Sequence, residues 1–311
     1  MKKACLLTNF RVICVVIGLF MTMAIVAVTD VSGKEPVDKS KYFAPEDYPP
    51  IPDFFVIAHQ GWSGKYPANT LLSYAGTSEA GADACEVDIH RTADGQFVMM
   101  HDGDTFRTTG QKGLIRNMTF AELRKLDAGI KKGKQFKGTL IPTYDETMAL
   151  LSKNKCPTLV EIKSSRPFPF DETAKAVIDK IKAYGYLDKV IMNSFSIKEV
   201  QRIRAIEPNI CVAWNYVGMK NPASVEEMVD DVTKKLKEAD TNVILLRVNN
   251  LSAESMALFH QRGIHILAWF GTKPDQMKKL VEIGVDAIIT DHPDQLRAIV
   301  GPKKQEPVKK N

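Results

Sequence analysis

From Phe54 to Thr290 the chain alternates eight short, apolar, β-rich runs with amphipathic segments, and this alternation limits its fold more than any other feature. The runs are Phe54 to Ala58, Ala84 to Ile89, Thr158 to Ile162, Val190 to Asn193, Ile210 to Trp214, Asn242 to Val248, Ile264 to Phe270 and Ala287 to Thr290. Helical patterns lie between most of them, at Asp171 to Ala183, Ile197 to Ile206, Ser224 to Glu238, Ala253 to Arg262 and Pro274 to Ile283. This alternation of strand and helix predicts crossover units around a parallel sheet. Eight such strands predict an α/β fold of the closed (β/α)8 TIM barrel type, whose reactive groups gather at the C-terminal ends of the strands. Gln96 to Met100 is a ninth β-like run, joined to the second by an Asp94-Gly95 turn, and its membership of the barrel is open. Residues 103–157 are too long for a simple connection and read as a small insertion after the second or third strand, with helices near Phe120 to Leu126 and Asp145 to Leu151.

The barrel then occupies residues 53–301, and what flanks it has a different character. Residues 1–33 place Lys2, Lys3 and Arg11 ahead of an apolar run from Val12 to Val28, with small residues from Ala27 to Gly33. That order describes an export signal, either cleaved or kept as an uncleaved anchor, so the protein is expected to be periplasmic or secreted. Residues 34–52 hold Pro36, Pro45, Pro49, Pro50 and Pro52 and read as an extended lead-in, while 302–311 form a basic tail. The net charge of +5 across 311 residues is too mild to imply a nucleic-acid partner, and contact with a membrane is expected only if the leader is retained. Outside the leader, Cys85, Cys156 and Cys211 sit in or beside apolar runs, as buried free thiols do, and one disulfide in an oxidising compartment stays open because the spacing names no pair.

The polar residues of the barrel region fall at the ends of its runs. His59 ends the first, Glu86 and Asp88 lie late in the second, and Glu161 and Lys163 end the third, so one rim would collect them. In Cys85-Glu86-Val87-Asp88-Ile89-His90, strand geometry throws Glu86, Asp88 and His90 onto one face. Two carboxylates on one buried face need a cation between them, or one must stay protonated. Glu86 and Asp88 are therefore read as metal ligands.

The order and spacing of a longer set of motifs resembles the glycerophosphodiester phosphodiesterase family from Val56 to Pro293. They are Ala58-His59 with Gly61, Pro67 with Asn69-Thr70, Gly81-Ala82-Asp83, Glu86-x-Asp88, Asp94-Gly95, His101-Asp102, Arg107-Thr108-Thr109, Ile141-Pro142-Thr143, Glu161-x-Lys163, and Gly284-Val285-Asp286 through Ile288-Ile289-Thr290-Asp291 with Pro293. The resemblance implies a (β/α)8 barrel that cleaves a small phosphodiester to an alcohol and glycerol 3-phosphate, with two histidines and a divalent cation. It also implies attack by the substrate's own glycerol hydroxyl. Cleaving a phosphodiester requires charge neutralisation, a base for the nucleophile and an acid for the departing oxygen. Glu86, Asp88 and Glu161 offer three hard oxygens suited to Mg²⁺ or Ca²⁺, His59 and His101 form the acid and base pair, and Lys163 is placed to meet the phosphate.

Two positions depart from the family pattern: Gln60 stands where arginine usually follows the first histidine, and Ala68 where glutamate precedes the Asn-Thr pair. Losing a charged, bidentate phosphate contact costs about 1.5 to 3 kcal/mol. Lys65, in the loop Trp62-Ser63-Gly64-Lys65, is a candidate to return that charge over the metal. Trp62 and Trp269 are candidates for the pocket mouth, where an aromatic wall suits a choline or sugar group. An alternative function follows from the same departures, a metal-binding barrel relative whose ligand is not a phosphate or that does not catalyse. A phosphatidylinositol-type phospholipase on the same barrel fits the Glu161-x-Lys163 and insertion patterns less well.

Overall fold

The computed structural model describes Tyr48 and residues 55–164, 166–218 and 222–302. The expected leader, the lead-in apart from Tyr48, and the tail beyond Pro302 lie outside the described residues. Among the described residues no helix is long and apolar enough to cross a membrane.

Among the described residues nine strands form, β1 (Val56–Ala58), β2 (Ala84–Arg91), β3 (Phe97–Met99), β4 (Thr158–Ser164), β5 (Val190–Ser194), β6 (Cys211–Tyr216), β7 (Val243–Arg247), β8 (His265–Trp269) and β9 (Ala287–Thr290). Eight of them pair in parallel as a closed ring, because β1 bonds both to β9, with Ile57 opposite Ile289, and to β2, with Ile57 opposite Ala84. The expected (β/α)8 barrel is the fold. The ninth run, β3, lies outside the ring and pairs antiparallel with the end of β2, Ile89 opposite Met99 and Arg91 opposite Phe97. β2 can serve both partners because its register against β4 shifts between Ile89 and His90, where the barrel ends and the hairpin begins.

The helices are α1 (Leu71–Glu79), α2 (Phe106–Thr109), α3 (Phe120–Leu123), α4 (Tyr144–Lys153), α5 (Phe170–Ala183), α6 (Ile197–Ile206), α7 (Val225–Ala239), α8 (Ala253–Gln261), α9 (Pro274–Glu282) and α10 (Pro293–Val300). Their starts follow from capping chemistry. Thr70, Thr143, Ser196, Ser224 and Ser252 each accept the backbone N–H three residues on, and at α4 Glu146 returns a bond to the Thr143 backbone. Helix α4 buries Tyr144, Met148 and Leu151 in the main core, so it is the crossover helix of the barrel itself. The stretch before it packs a separate small core of Val98, Met100, Ile115, Leu123, Leu126, Ala128 and Ile141.

Alternation along each strand sorts the side chains. Outward residues such as Val87, Val160, Met192, Val212, Ile244 and Ile288 pack under the helices in one large cluster. Inward residues begin apolar, with Ile57, Ala84, Leu159, Ile191, Ala213, Leu267 and Ala287 filling the lower barrel. Two residues further along the same strands, the inward series opens onto a pocket: His59, Glu86, Glu161, Asn193, Asn215, Trp269 and Ile289 face it at the C-terminal rim. Cys85, Cys156 and Cys211 are all buried.

Candidate active site

The pocket, about 340 Å³, is lined on its polar side by His59, Glu86, His101, Glu161 and Lys163, with Asn193 and Asn215 beside them. Glu86, Asp88 and Glu161 each bring a carboxylate oxygen within 4.8 Å of the others, and all three are buried. The cause is the strand register, which sets Asp88 of β2 directly opposite Glu161 of β4 while Glu86 lies one pleat below. Lys163, two residues past Glu161, extends its Nζ to 2.8 Å from Glu161 Oε1 and 3.1 Å from Asp88 Oδ1.

Burial and the charge of Asp88 push the Glu86 carboxyl well above the usual carboxylate range, and the same causes push Glu161 up despite Lys163. Burial acts on Asp88 too, but the Lys163 ammonium and His101 outweigh it and hold that carboxyl low. Lys163 is itself held charged, since the three acids around it overcome its desolvation. Asp88 Oδ1 is buried and accepts no hydrogen bond, although an ammonium lies 3.1 Å away. Three converging hard oxygens, one of them unsatisfied, fit a divalent cation.

Other residues hold this cluster in place. Asn69 donates from Nδ2 to Asp88 Oδ2 at 2.8 Å, while its Oδ1 accepts from the Tyr74 hydroxyl at 2.7 Å. The Gln60 backbone N–H donates to Glu86 Oε2 at 2.8 Å. Both Gln60 (φ 55°) and Asn69 (φ 56°) sit in the left-handed region, a conformation that costs free energy and is sustained by these bonds. On the far side, Asn193 and Asn215 donate to Glu161 Oε2 at 3.4 and 3.2 Å.

The two imidazoles are anchored alike. His59 Nδ1 lies 2.6 Å from Asp291 Oδ1, an oxygen that also accepts from the Ser63 hydroxyl at 2.8 Å. His101 Nδ1 lies 2.7 Å from Asp102 Oδ1, and Arg107 grips both oxygens of that carboxylate, at 2.5 and 3.2 Å. Although burial raises both carboxyls, the His59 and Ser63 bonds hold Asp291 below its usual range, and Arg107 with His101 does the same for Asp102. A carboxylate at Nδ1 fixes the proton there, so each neutral ring keeps Nε2 as its free acceptor.

Several expected residues are placed elsewhere. Lys65 does not reach the cluster: it pairs with Glu79 at 2.7 Å and lies over the Trp62 ring at 4.4 Å, and neither Lys65 nor Trp62 lines the pocket. Trp62 instead packs edge-on against Tyr66, 5.9 Å between centroids. His90, just past the register shift, turns its Nε2 to the His101 carbonyl at 3.2 Å and so supports the backbone of that residue. Trp269 does line the pocket, with Phe195 edge-on at 5.9 Å and Phe270, which also meets the His59 ring at 4.4 Å. Asn69, Asp102, Arg107 and Asp291 stand in motifs of the resemblance without an assigned task there, Asn193 only ends a strand run, and Asn215 carries no sequence signal at all.

An acidic, cation-ready cluster between two carboxylate-backed imidazoles, at the C-terminal rim of a closed (β/α)8 barrel, defines an enzyme of the phosphoric diester hydrolase class. The pattern of the glycerophosphoryl diester phosphodiesterase family matches residues 59–295, and the chain belongs to that family. A glycerophosphodiester phosphodiesterase of Caldanaerobacter subterraneus subsp. tengcongensis is 30% identical over 246 residues, covering 79% of this chain and 97% of its own. One from Bacillus subtilis is 28% identical, covering 76% of this chain and 83% of its own. Among solved structures, an Oleispira antarctica phosphodiesterase in complex with the product sn-glycerol-3-phosphate superposes with a TM-score of 0.71 at 26% identity, covering 79% of this chain and 96% of that one.

Proposed function

We propose that the chain hydrolyses glycerophosphodiesters to an alcohol and glycerol 3-phosphate, with His59 and His101 as the base and acid pair. The observation that carries this reading is the pair of imidazoles, each backed by a carboxylate at Nδ1, lining one pocket with the acidic cluster. Glu86, Asp88 and Glu161 would hold one divalent cation, Mg²⁺ or Ca²⁺. When bound, it supplies neutralisation of charge on the phosphoryl group.

One imidazole accepts at Nε2 the proton of the substrate's glycerol hydroxyl as that oxygen attacks phosphorus. The bond from phosphorus to the head-group alkoxide breaks, and the departing oxygen takes a proton from the other, protonated ring. Water opens the resulting cyclic phosphate by the reverse exchange, which frees glycerol 3-phosphate and restores both rings. Lys163 offers the nearest permanent positive charge, whereas the Gln60 side chain can add only a neutral hydrogen bond. Trp269, Phe195 and Phe270 would receive the leaving alcohol. The basic start and apolar run of residues 1–33 support an exported enzyme.

The test is release of glycerol 3-phosphate from a panel of glycerophosphodiesters with Mg²⁺, Ca²⁺ or chelator, beside a His101→Ala control. Cation-dependent release that His101→Ala abolishes is expected. Silence across the panel with cation still bound would instead mark a binding barrel, the consequence of Gln60 and Ala68.

A further inference from the structure

Residues 103–140 carry nine Lys and Arg against three acids, whereas the whole chain has a net charge of only +5. The positive excess is therefore concentrated in one insertion. Its three acids are occupied by backbone N–H groups: Asp104 accepts from Phe106 at 2.8 Å, Glu122 from Thr119 at 2.8 Å, and Asp127 from Gly129, Ile130 and Gly138 at 2.9, 3.1 and 2.8 Å. Among the described residues its ion pairs are Arg107–Asp102 and Arg124–Glu146, and Lys112, Arg116, Lys125, Lys131, Lys134 and Lys137 are exposed to solvent.

Apolar side chains stand among these lysines. Phe106 is 45% exposed, Ile130 40% and Leu140 50%, more than a small core-forming insertion needs to leave in water. The Phe106 ring has the Lys112 and Lys131 ammoniums 5.8 and 5.6 Å from its centroid, so base and aromatic share one patch. The loop that presents Ile130 through Lys137 is rigid by construction. Asp127 ties its two ends together, and a Cβ on Gly129 would lie 1.9 Å from the Phe136 carbonyl oxygen, so only glycine allows the chain to close there. Lys132 donates to the Ser63 and Gly64 carbonyls at 2.5 and 3.0 Å, which fixes the insertion against the rim beside His59.

We propose that this face of the insertion docks on an anionic lipid surface, with Lys112, Lys131, Lys134 and Lys137 at the phosphate level and Phe106, Ile130 and Leu140 entering the interface. Mixed lysines and exposed aliphatics are what such a surface rewards. A nucleic acid would use the charge but leave Ile130 and Leu140 in water. The inference does not depend on the chemistry of the pocket.

The test uses residues 40–302, which omit the apolar leader and the basic tail. The closed barrel lies within this fragment, and the Caldanaerobacter relative matches this chain over 97% of its own length, so a chain of about this extent suffices for the fold. Cosedimentation with equimolar phosphatidylcholine–phosphatidylglycerol vesicles should show binding that salt weakens, and pure phosphatidylcholine vesicles should show none. Each lysine is worth about fivefold in partitioning, so the quadruple Lys→Gln variant at positions 112, 131, 134 and 137 should lose several hundredfold, with its melting temperature unchanged. Ile130→Ser with Leu140→Ser should lose about tenfold. Absence of wild-type binding to anionic vesicles, equal binding to neutral ones, or indifference to the lysine changes would overturn the proposal. So would binding of a DNA oligonucleotide, without vesicle binding, that survives Ile130→Ser with Leu140→Ser.

Discussion

Replacing Asp291 by Asn removes one negative charge 2.6 Å from His59 Nδ1 and leaves the shape of the side chain nearly unchanged. Two unit charges with centres about 4 Å apart attract by about 4 kcal/mol at an effective dielectric constant of 20. Solvent reaches 41% of the Asp291 side chain and 14% of His59, so screening reduces the worth of the charged pair to about 2 to 3 kcal/mol. In whichever half of the reaction this ring accepts its proton it becomes cationic, so the loss falls on the transition state of that step and, where that step limits turnover, kcat should drop about 30- to 150-fold. Asp291 stands behind His59 and does not line the pocket, so KM for a soluble glycerophosphodiester should stay within about twofold. Ser63→Ala removes one hydrogen bond to the same carboxylate and should cost only about three- to tenfold in kcat. Steady-state kinetics on both variants tests the reasoning, which fails if Asp291→Asn costs less than about fivefold or acts only through KM. The stability of the protein gives an independent sign. The folded state holds Asp291 below the ordinary carboxylate range, so this contribution is complete above that range and is lost as pH falls through the depressed folded value. Urea midpoints of the Asn variant should therefore be less sensitive to acid than those of the parent.

Three further outcomes follow from the same geometry. Asn69→Ala strips a buried hydrogen bond from Asp88 and another from Tyr74, and should cost about 3 to 5 kcal/mol, seen as a fall of about 10 °C in melting temperature; a shift under about 3 °C would contradict the role given to Asn69. Glu161→Gln should weaken Mg²⁺ or Ca²⁺ binding by about a hundredfold or more in titration calorimetry, and an unchanged Kd would remove Glu161 from the ligand set. Gln60→Arg restores a charged donor at a position whose left-handed backbone is already paid for, so KM for glycerophosphodiesters should fall about tenfold, and no change would mean that Lys163 already supplies all the charge the phosphate uses.

The fold was legible because each barrel strand is a short apolar run buried on both faces, and burial of that kind leaves a mark in composition. Phe97–Met99 left the same mark for a different reason: it is buried against α4 and β2, and only the register shift at Ile89 and His90 shows that it lies outside the ring. The acidic cluster was legible as well, because Glu86, Asp88, Glu161 and Lys163 obey strand alternation, which is local. What stayed hidden depends on contacts between distant segments. Asp291 is 232 positions from His59, and no periodicity links them before the barrel closes. Lys65 was misplaced for the same reason: its partner Glu79 sits at the end of α1, and whether a loop lysine turns inward or outward depends on which acid it meets first.

The charges of the rim explain why its parts occur together. Three ionised carboxylates and one ammonium leave two negative charges in a largely buried cluster at the pocket wall, and burial pushes Glu86 and Glu161 toward their protonated forms. A dication matches that remainder, and then none of the three acids needs to hold a proton. Lys163 prevents the deficit from reaching three, which no single divalent ion could balance, and the amides of Asn69, Asn193 and Asn215 satisfy the outer oxygens without adding charge. Any added positive charge must therefore come with the substrate's phosphate, whose own negative charge offsets it. A neutral residue at position 60 is consistent with this balance in the resting site, and its effect should appear only once a phosphodiester enters.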